Sequence, residues 1–202
     1  MRQASAPDAA APCEGAPDPH GALLLAYANG DARAARDLTL ALAPRALSQA
    51  QRMLADRAEA EDVVQEALMR LWRIAPDWRQ GEARVTTWLY RVVANLCLDR
   101  LRRRGRAAPL DAVPEPADDA PGAAEGLLEA ARHRALAEAL AAIPERQAHA
   151  VALRHLEGLG NPEIAAAMDI GVEAVESLTA RGKRALAAIL AERRAELGWT
   201  DE

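Results

Sequence analysis

From Gly21 to about Arg106, apolar side chains recur at helical intervals almost without a break. The clearest stretch begins at Asp56, where Val63, Val64, Ala67, Leu68, Leu71 and Trp72 repeat as i, i+1, i+4, i+5 and define one buried stripe. Asp56 reads as its N-cap and Pro76 as its end, while Asn29-Gly30-Asp31 reads as a helix stop followed by a new cap. A further helix is expected from about Arg84 to Arg104. Val85, Trp88, Leu89, Val92 and Leu96 lie on its inward face, with Arg84, Thr87, Arg91, Asn95, Leu98 and Arg102 opposite.

A second helical set runs from about Glu125 to Leu197, with breaks at Pro144, at Gly158–Gly160 and at Asp169–Gly171. Within it Asn161-Pro162 is expected to cap a short helix, EIAAAM. Asp169-Ile170-Gly171 makes a turn, and VEAVESLTARGKRALAAIL forms a second helix. Ile164, Ala165, Met168, Ile170, Val175 and Leu186 are placed to hold this helix–turn–helix together. Residues 107–121 contain four prolines and no helical period, and residues 1–19 are rich in Ala, Pro and Asp. The expected organisation is all-α, a disordered tail at 1–19, a helical domain at 20–106, a flexible acidic linker at 107–124 and a second helical domain at 125–197.

Composition narrows this picture. Half the 202 residues are apolar, with much Ala and no Phe, which suits packed helices better than sheets. No stretch is long and apolar enough for membrane insertion, and the N-terminus lacks the apolar core of a signal peptide. Cys13 and Cys97 form neither a disulfide framework nor a metal pattern, so a reduced, cytoplasmic protein is expected. The net charge of −5 is unevenly spread. Residues 81–106 carry seven arginines against Glu82 and Asp99, a local net of +5, and residues 107–129 carry six acids and no Lys or Arg. Local field governs where a polyanion docks, so overall acidity does not exclude nucleic acid.

Candidate chemistry follows from these segments. Arginines at three- and four-residue steps on the Arg84–Arg104 helix match phosphates along a strand, and Thr87 and Asn95 can donate to base edges. Trp78 and Arg79 lie in the preceding loop, where an aromatic ring can stack on an unpaired base. A solvated helix face would carry the same stripe. Catalysis finds no support: His20, His133, His149 and His155 are scattered, and no glycine-rich phosphate loop is present. No metal site and no cofactor are expected.

The motifs AEDVVQEALMRLWR at 60–73, TTWLYRVVANLCLDRLRRR at 86–104 and ALAEALAAIPERQAHAVALRHLEGLGNPEIAAAMDI at 135–170 resemble, in order and spacing, the extracytoplasmic-function sigma factors of the sigma-70 family. The likeness spans roughly residues 22–106 and 127–192. It implies a region 2 bundle that binds core RNA polymerase and a region 4 helix–turn–helix, with no enzymatic activity. By that resemblance Asp62, Gln65 and Glu66 match the acidic motif that docks on the polymerase clamp coiled coil. The Trp78–Arg84 loop with Thr87, Arg91, Asn95 and Arg102 matches the segment that captures a flipped minus-ten base and melts promoter DNA. Ser177, Thr179, Arg181, Lys183 and Arg184 match minus-thirty-five contacts. Glu173 and Glu176 stand there too, although family members often carry neutral or basic residues, and Leu178 replaces a frequent Arg. Asp169 stands where a turn Gly is usual, and Gly171 where Ser or Thr is usual. The resemblance further implies contact with the polymerase flap and control by an anti-sigma factor. The competing reading is a helix–turn–helix regulator that is not a sigma subunit.

Overall fold

The computed structural model describes residues 18–81, 83–107, 123–194 and 197–198. Eight α-helices follow in chain order among them: α1 (Pro19–Ala28), α2 (Ala32–Leu54), α3 (Arg57–Ile74), α4 (Val85–Ala107), α5 (Ala123–Ala142), α6 (Glu145–Val151), α7 (Asn161–Met168) and α8 (Val172–Ala191). A 3₁₀ turn (Ala75–Asp77) closes α3, and a π turn (Ala152–Leu156) extends α6.

Helix ends fall where local chemistry puts them. Asp31 caps α2 by accepting from the Arg33 N–H, and Asp56 caps α3 by accepting from the Glu59 N–H. Gly30, at φ 96°, supplies the left-handed turn between α1 and α2. Two expectations move by a residue or two. Asp18 and Pro19 belong to α1 rather than to a tail, because Asp18 caps two helices at once. Its Oδ1 accepts from the His20 N–H at 3.1 Å and its Oδ2 from the Val85 N–H, at the start of α4, at 2.9 Å. The α7 cap is Gly160, not Asn161, since the Glu163 carboxylate folds back to accept from the Gly160 N–H at 2.8 Å. Ala107 ends α4 and α5 starts at Ala123; the rest of the expected linker, and residues 1–17 of the expected tail, lie outside the described residues.

The first domain packs α1, α2 and α3 around α4. Leu38, Leu42, Met53, Leu71 and Leu89 are fully enclosed there, each contributing about 1.5–3 kcal/mol by leaving water. Buried Gln49 ties α2 to α4 through its amide N–H on the Tyr90 carbonyl at 3.0 Å. The second domain packs α5, α6 and α8, with α7 across α8. The two domains do not stand apart: α4 and α2 pack against α5, and α4 also meets α6, the π turn and α7.

Helix α4 therefore corrects the expected division into an inward and a solvent face. Val85, Leu89, Val92 and Leu96 are buried as expected, but so are Thr87, Val93, Ala94, Cys97, Leu98 and Leu101. A helix sandwiched between two domains loses its solvent side, which a one-domain periodicity argument does not foresee.

Close approach of α6 and α8 depends on Gly182. A Cβ there would lie 2.6 Å from Val151 Cγ2 and 3.0 Å from the Gln147 carbonyl oxygen. Replacing Gly182 by Ala is expected to destabilise the fold by about 1–3 kcal/mol from overpacking, despite Ala's better helix propensity. Denaturant unfolding should show this loss, and adding Val151→Ala should return part of it.

Candidate nucleic-acid interface

The acidic stripe of α3 lies opposite its buried one. Asp62 and Gln65 are exposed and Glu66 half-exposed, while Val63, Val64, Ala67 and Leu68 between them pack inward. Glu66 pairs with Arg70 one turn on at 2.6 Å, and Asp62 lies 3.8 Å from Arg100. Exposed i, i+4 pairs of this kind hold little energy, so the carboxylates remain available to a cationic partner.

The loop after α3 forms a second feature. Trp78 is half-buried and meets Trp88 edge-on, with ring centroids 6.4 Å apart. Ile74, Asp77, Arg79, Ala83 and the two tryptophans line a recess of about 250 Å³. Arg79 is exposed, as is Arg84, the residue that follows lining Ala83, and Glu82 lies outside the described residues. Trp88, on the inward face of α4, packs partly on the core, so the recess has a rigid wall.

The arginines of α4 are not a bare cationic stripe. Arg100 and Arg104 strap α4 to the start of α3 and the end of α2: Arg100 donates to the Glu59 carbonyl at 3.1 Å, and Arg104 pairs with Glu59 at 2.6 Å and donates to the Leu54 carbonyl at 3.1 Å. Arg91 and Arg102 turn to the second domain. Arg91 donates to the Ala167 carbonyl at 2.6 Å, a cation on the C-terminal end of α7. Burial lowers its pKa from the usual arginine value. Arg102 pairs with Glu145 of α6 at 2.9 Å. Asn95 is half-buried and Thr87 buried, so neither is open to a base edge in this arrangement. Sequence reasoning located the arginines but not these partners, which come from residues up to 76 positions away.

Helix α8 is the more open reading surface. Glu173, Glu176, Ser177, Arg181, Lys183 and Arg184 are all exposed, while Val175, Gly182 and Leu186 face inward. Thr179 departs from expectation: its Oγ1 is enclosed without a hydrogen-bond partner, on the packed side of the helix. Glu173 sits in the first turn, where a carboxylate complements the helix dipole. Glu176 accepts from the Asn161 amide at 3.1 Å and so braces α8 against α7. Asp169 takes the left-handed conformation, φ 52°, where the family's glycine would be unstrained, and Gly171 caps α8 with no side-chain acceptor.

Comparison with known proteins decides the identity of this architecture. Residues 38–107 match the model for sigma-70 region 2, and residues 133–186 match that for sigma-70 region 4. The chain belongs to the sigma-70 family, in its extracytoplasmic-function branch. It is 34% identical over 158 residues to the ECF RNA polymerase sigma factor SigE of Mycolicibacterium smegmatis, covering 76% of this chain and 60% of that protein. It is 32% identical to SigM of Mycobacterium tuberculosis over 83% of each chain, and 30% identical to the RNA polymerase sigma-H factor of Pseudomonas aeruginosa over 78% of this chain and 86% of the other. The fold is shared with CnrH in complex with the cytosolic domain of CnrY, at TM-score 0.62 and 22% identity over 86% of this chain and 97% of that one. It is also shared with the sigma factor RpoE in complex with the anti-sigma factor NepR from Bartonella quintana, at TM-score 0.52 and 20% identity over 77% and 96%. Among the described residues no helix is long and apolar enough to cross a membrane, and no group of His, Cys, Asp and Glu could hold a metal.

Cys97 and His149 of this sigma factor stand inside its packing. Cys97 is buried, and burial pushes its thiol up to about 12, the behaviour of a core residue rather than a reactive one. His149 of α6 faces Arg102 and Asp99 of α4 and Glu145 of its own helix, with its Nε2 enclosed and unpartnered. Desolvation lowers its pKa below the ordinary value of 6.5, partly opposed by Glu145 and Asp99. A base with a depressed folded pKa gives full stability above 6.5 and loses it as pH falls through that window. Thermal melts between about pH 7.5 and about pH 5.5 should show a larger drop in Tm for the wild type than for His149→Gln.

Proposed function

We propose that this sigma factor engages the clamp coiled coil of core RNA polymerase through Asp62, Gln65 and Glu66, and promoter DNA through two separate surfaces. The observation that carries this reading is the alternation on α3, where three polar residues point outward between buried Val63, Val64, Ala67 and Leu68. A row of acceptors on a rigid helix suits a basic partner surface. The recess walled by Trp78 and Trp88 takes one extruded base, with Arg79 and Arg84 beside it for the flanking phosphates. Arg91, Asn95, Thr87 and Arg102 extend that surface once the second domain is displaced. On α8, Ser177, Arg181, Lys183 and Arg184 supply the minus-thirty-five contacts. Glu173 and Glu176 are also exposed there and can accept from cytosine N4, whereas enclosed Thr179 serves packing.

An anti-sigma factor belongs to the same reading, since one related structure holds the sigma factor RpoE with the anti-sigma factor NepR and another holds CnrH with the cytosolic domain of CnrY. Contact of the second domain with the polymerase flap, a cytoplasmic location and the lack of any covalent chemistry follow from the role itself.

Transcription with purified bacterial core polymerase on a genomic promoter library, with transcript ends sequenced, tests the whole reading. New start sites sharing two upstream elements support it; failure to bind core would leave a stand-alone helix–turn–helix regulator. Reversing charge in Asp62→Lys/Glu66→Lys is expected to abolish core binding while the helical circular dichroism is unchanged. Arg91→Ala and Asn95→Ala should impair promoter opening, read by permanganate footprinting, more than core binding; equal loss of both would make them structural residues.

A further inference from the structure

The first turns of α8 carry no cation. No Lys or Arg occurs between Arg154 and Arg181, although α8 begins at Val172. In a helix–turn–helix, the N-terminal residues of the second helix are those that meet base edges in the major groove. Arg181, Lys183 and Arg184 are exposed further along α8, where they can meet phosphates. Guanine presents two acceptors in that groove and is ordinarily read by an Arg or Lys. The first turns of α8 lack both, so their base contacts must be of another kind.

Two exposed side chains there fit other base edges. Glu176 lies beyond the first turn, so dipole complementarity, which accounts for Glu173, does not account for it. Its Oε1 accepts from the Asn161 amide of α7 at 3.1 Å, and the side chain is otherwise exposed. That bond fixes the direction of a flexible carboxylate before DNA arrives. An ionised carboxylate can only accept. Cytosine presents the N4 donor alone, whereas adenine sets its N7 acceptor beside N6, and guanine and thymine present acceptors. Cytosine is thus the base that meets Glu176 without a repelled acceptor.

Val172 is 41% exposed although apolar, and stands one helical turn before Glu176. Side chains at i and i+4 lie about 5–6 Å apart and successive bases about 3.4 Å, so the two reach bases within about two steps. The apolar group offered by the major groove is the thymine methyl.

We propose that Glu176, aimed by Asn161, and Val172 specify a cytosine and a nearby thymine on one strand of the minus-thirty-five element. Asn161 is a positioning residue, since it acts through the carboxylate. The inference rests on α8 being the minus-thirty-five reading helix, and adds to that reading the bases it prefers. Guanine is excluded opposite Glu176, because its O6 and N7 would both face a carboxylate. Glutamine sets a donor beside the acceptor and suits adenine N6 and N7, so Glu176→Gln exchanges one preferred base for another rather than only weakening binding.

The test is selection from a random duplex library by holoenzyme, reconstituted from the full chain and bacterial core polymerase. The wild type should enrich an upstream element with cytosine and thymine within about two steps on one strand. Glu176→Gln should replace that cytosine by adenine, and Val172→Ala should lower the preference for the thymine. Asn161→Ala should reduce the roughly ten-fold preference for cytosine and leave the thymine preference intact. A loss of stability would instead weaken selection at every position. Absence of any upstream element with the wild type would overturn α8 as the reading helix, and the base assignment with it. An upstream element whose cytosine survives Glu176→Gln and whose thymine survives Val172→Ala would leave that role standing and overturn the assignment. An unchanged cytosine preference in Asn161→Ala would overturn the positioning role.

Discussion

The structure depends on the placement of one helix, α4, between two domains. Its Val85, Leu89, Val92 and Leu96 complete the first domain's core, and its other side packs on α5, α6, the π turn and α7. Every polar residue that α4 carries must therefore find a partner or reach solvent at its edges. Its arginines show the outcome, with Arg100 and Arg104 committed to α3 and Arg91 and Arg102 to the second domain.

That distribution separates two uses of the same residue type. Arginine can bond a helix C-terminus or a buried carboxylate as readily as a phosphate, because its planar fork suits carbonyl, carboxylate and phosphate oxygens alike. A surface built from such residues can exchange an internal partner for an external one at modest net cost. The Arg91–Ala167 and Arg102–Glu145 contacts are of this exchangeable kind, each involving groups at the margin of the packed surface. Glu157 differs. Burial raises its carboxyl above the usual range even though Arg52 and Arg45 pull it down, so its charge is accommodated rather than ideally solvated.

Much of the fold was legible in the sequence because its signals are local. Asp31 and Asp56 as caps, Pro76 after α3, the stripe of Val63 to Trp72, and the turn at Asp169–Gly171 all act within a few residues of themselves. The outward position of Asp62 and Gln65 follows from the same periodicity. The burial of Thr87 and Leu98 and the enclosed Oγ1 of Thr179 were not legible, because tertiary packing rather than local period covers them. Asp18 was hidden in a Pro- and Ala-rich stretch, and only its bond to the Val85 N–H, across 67 positions, shows why it is ordered.

The sequence by itself determined the all-helical class, the two-part division and the family, since helical period, capping and motif order are properties of neighbouring residues. Only the tertiary structure decided which charges are spent internally. Ion pairs such as Arg52–Glu157 join residues 105 positions apart, and no local pattern encodes which distant carboxylate an arginine will meet. The physical reason is that electrostatic partners are chosen by proximity after packing, and packing is set by apolar surfaces that leave no record of the polar groups they bring together.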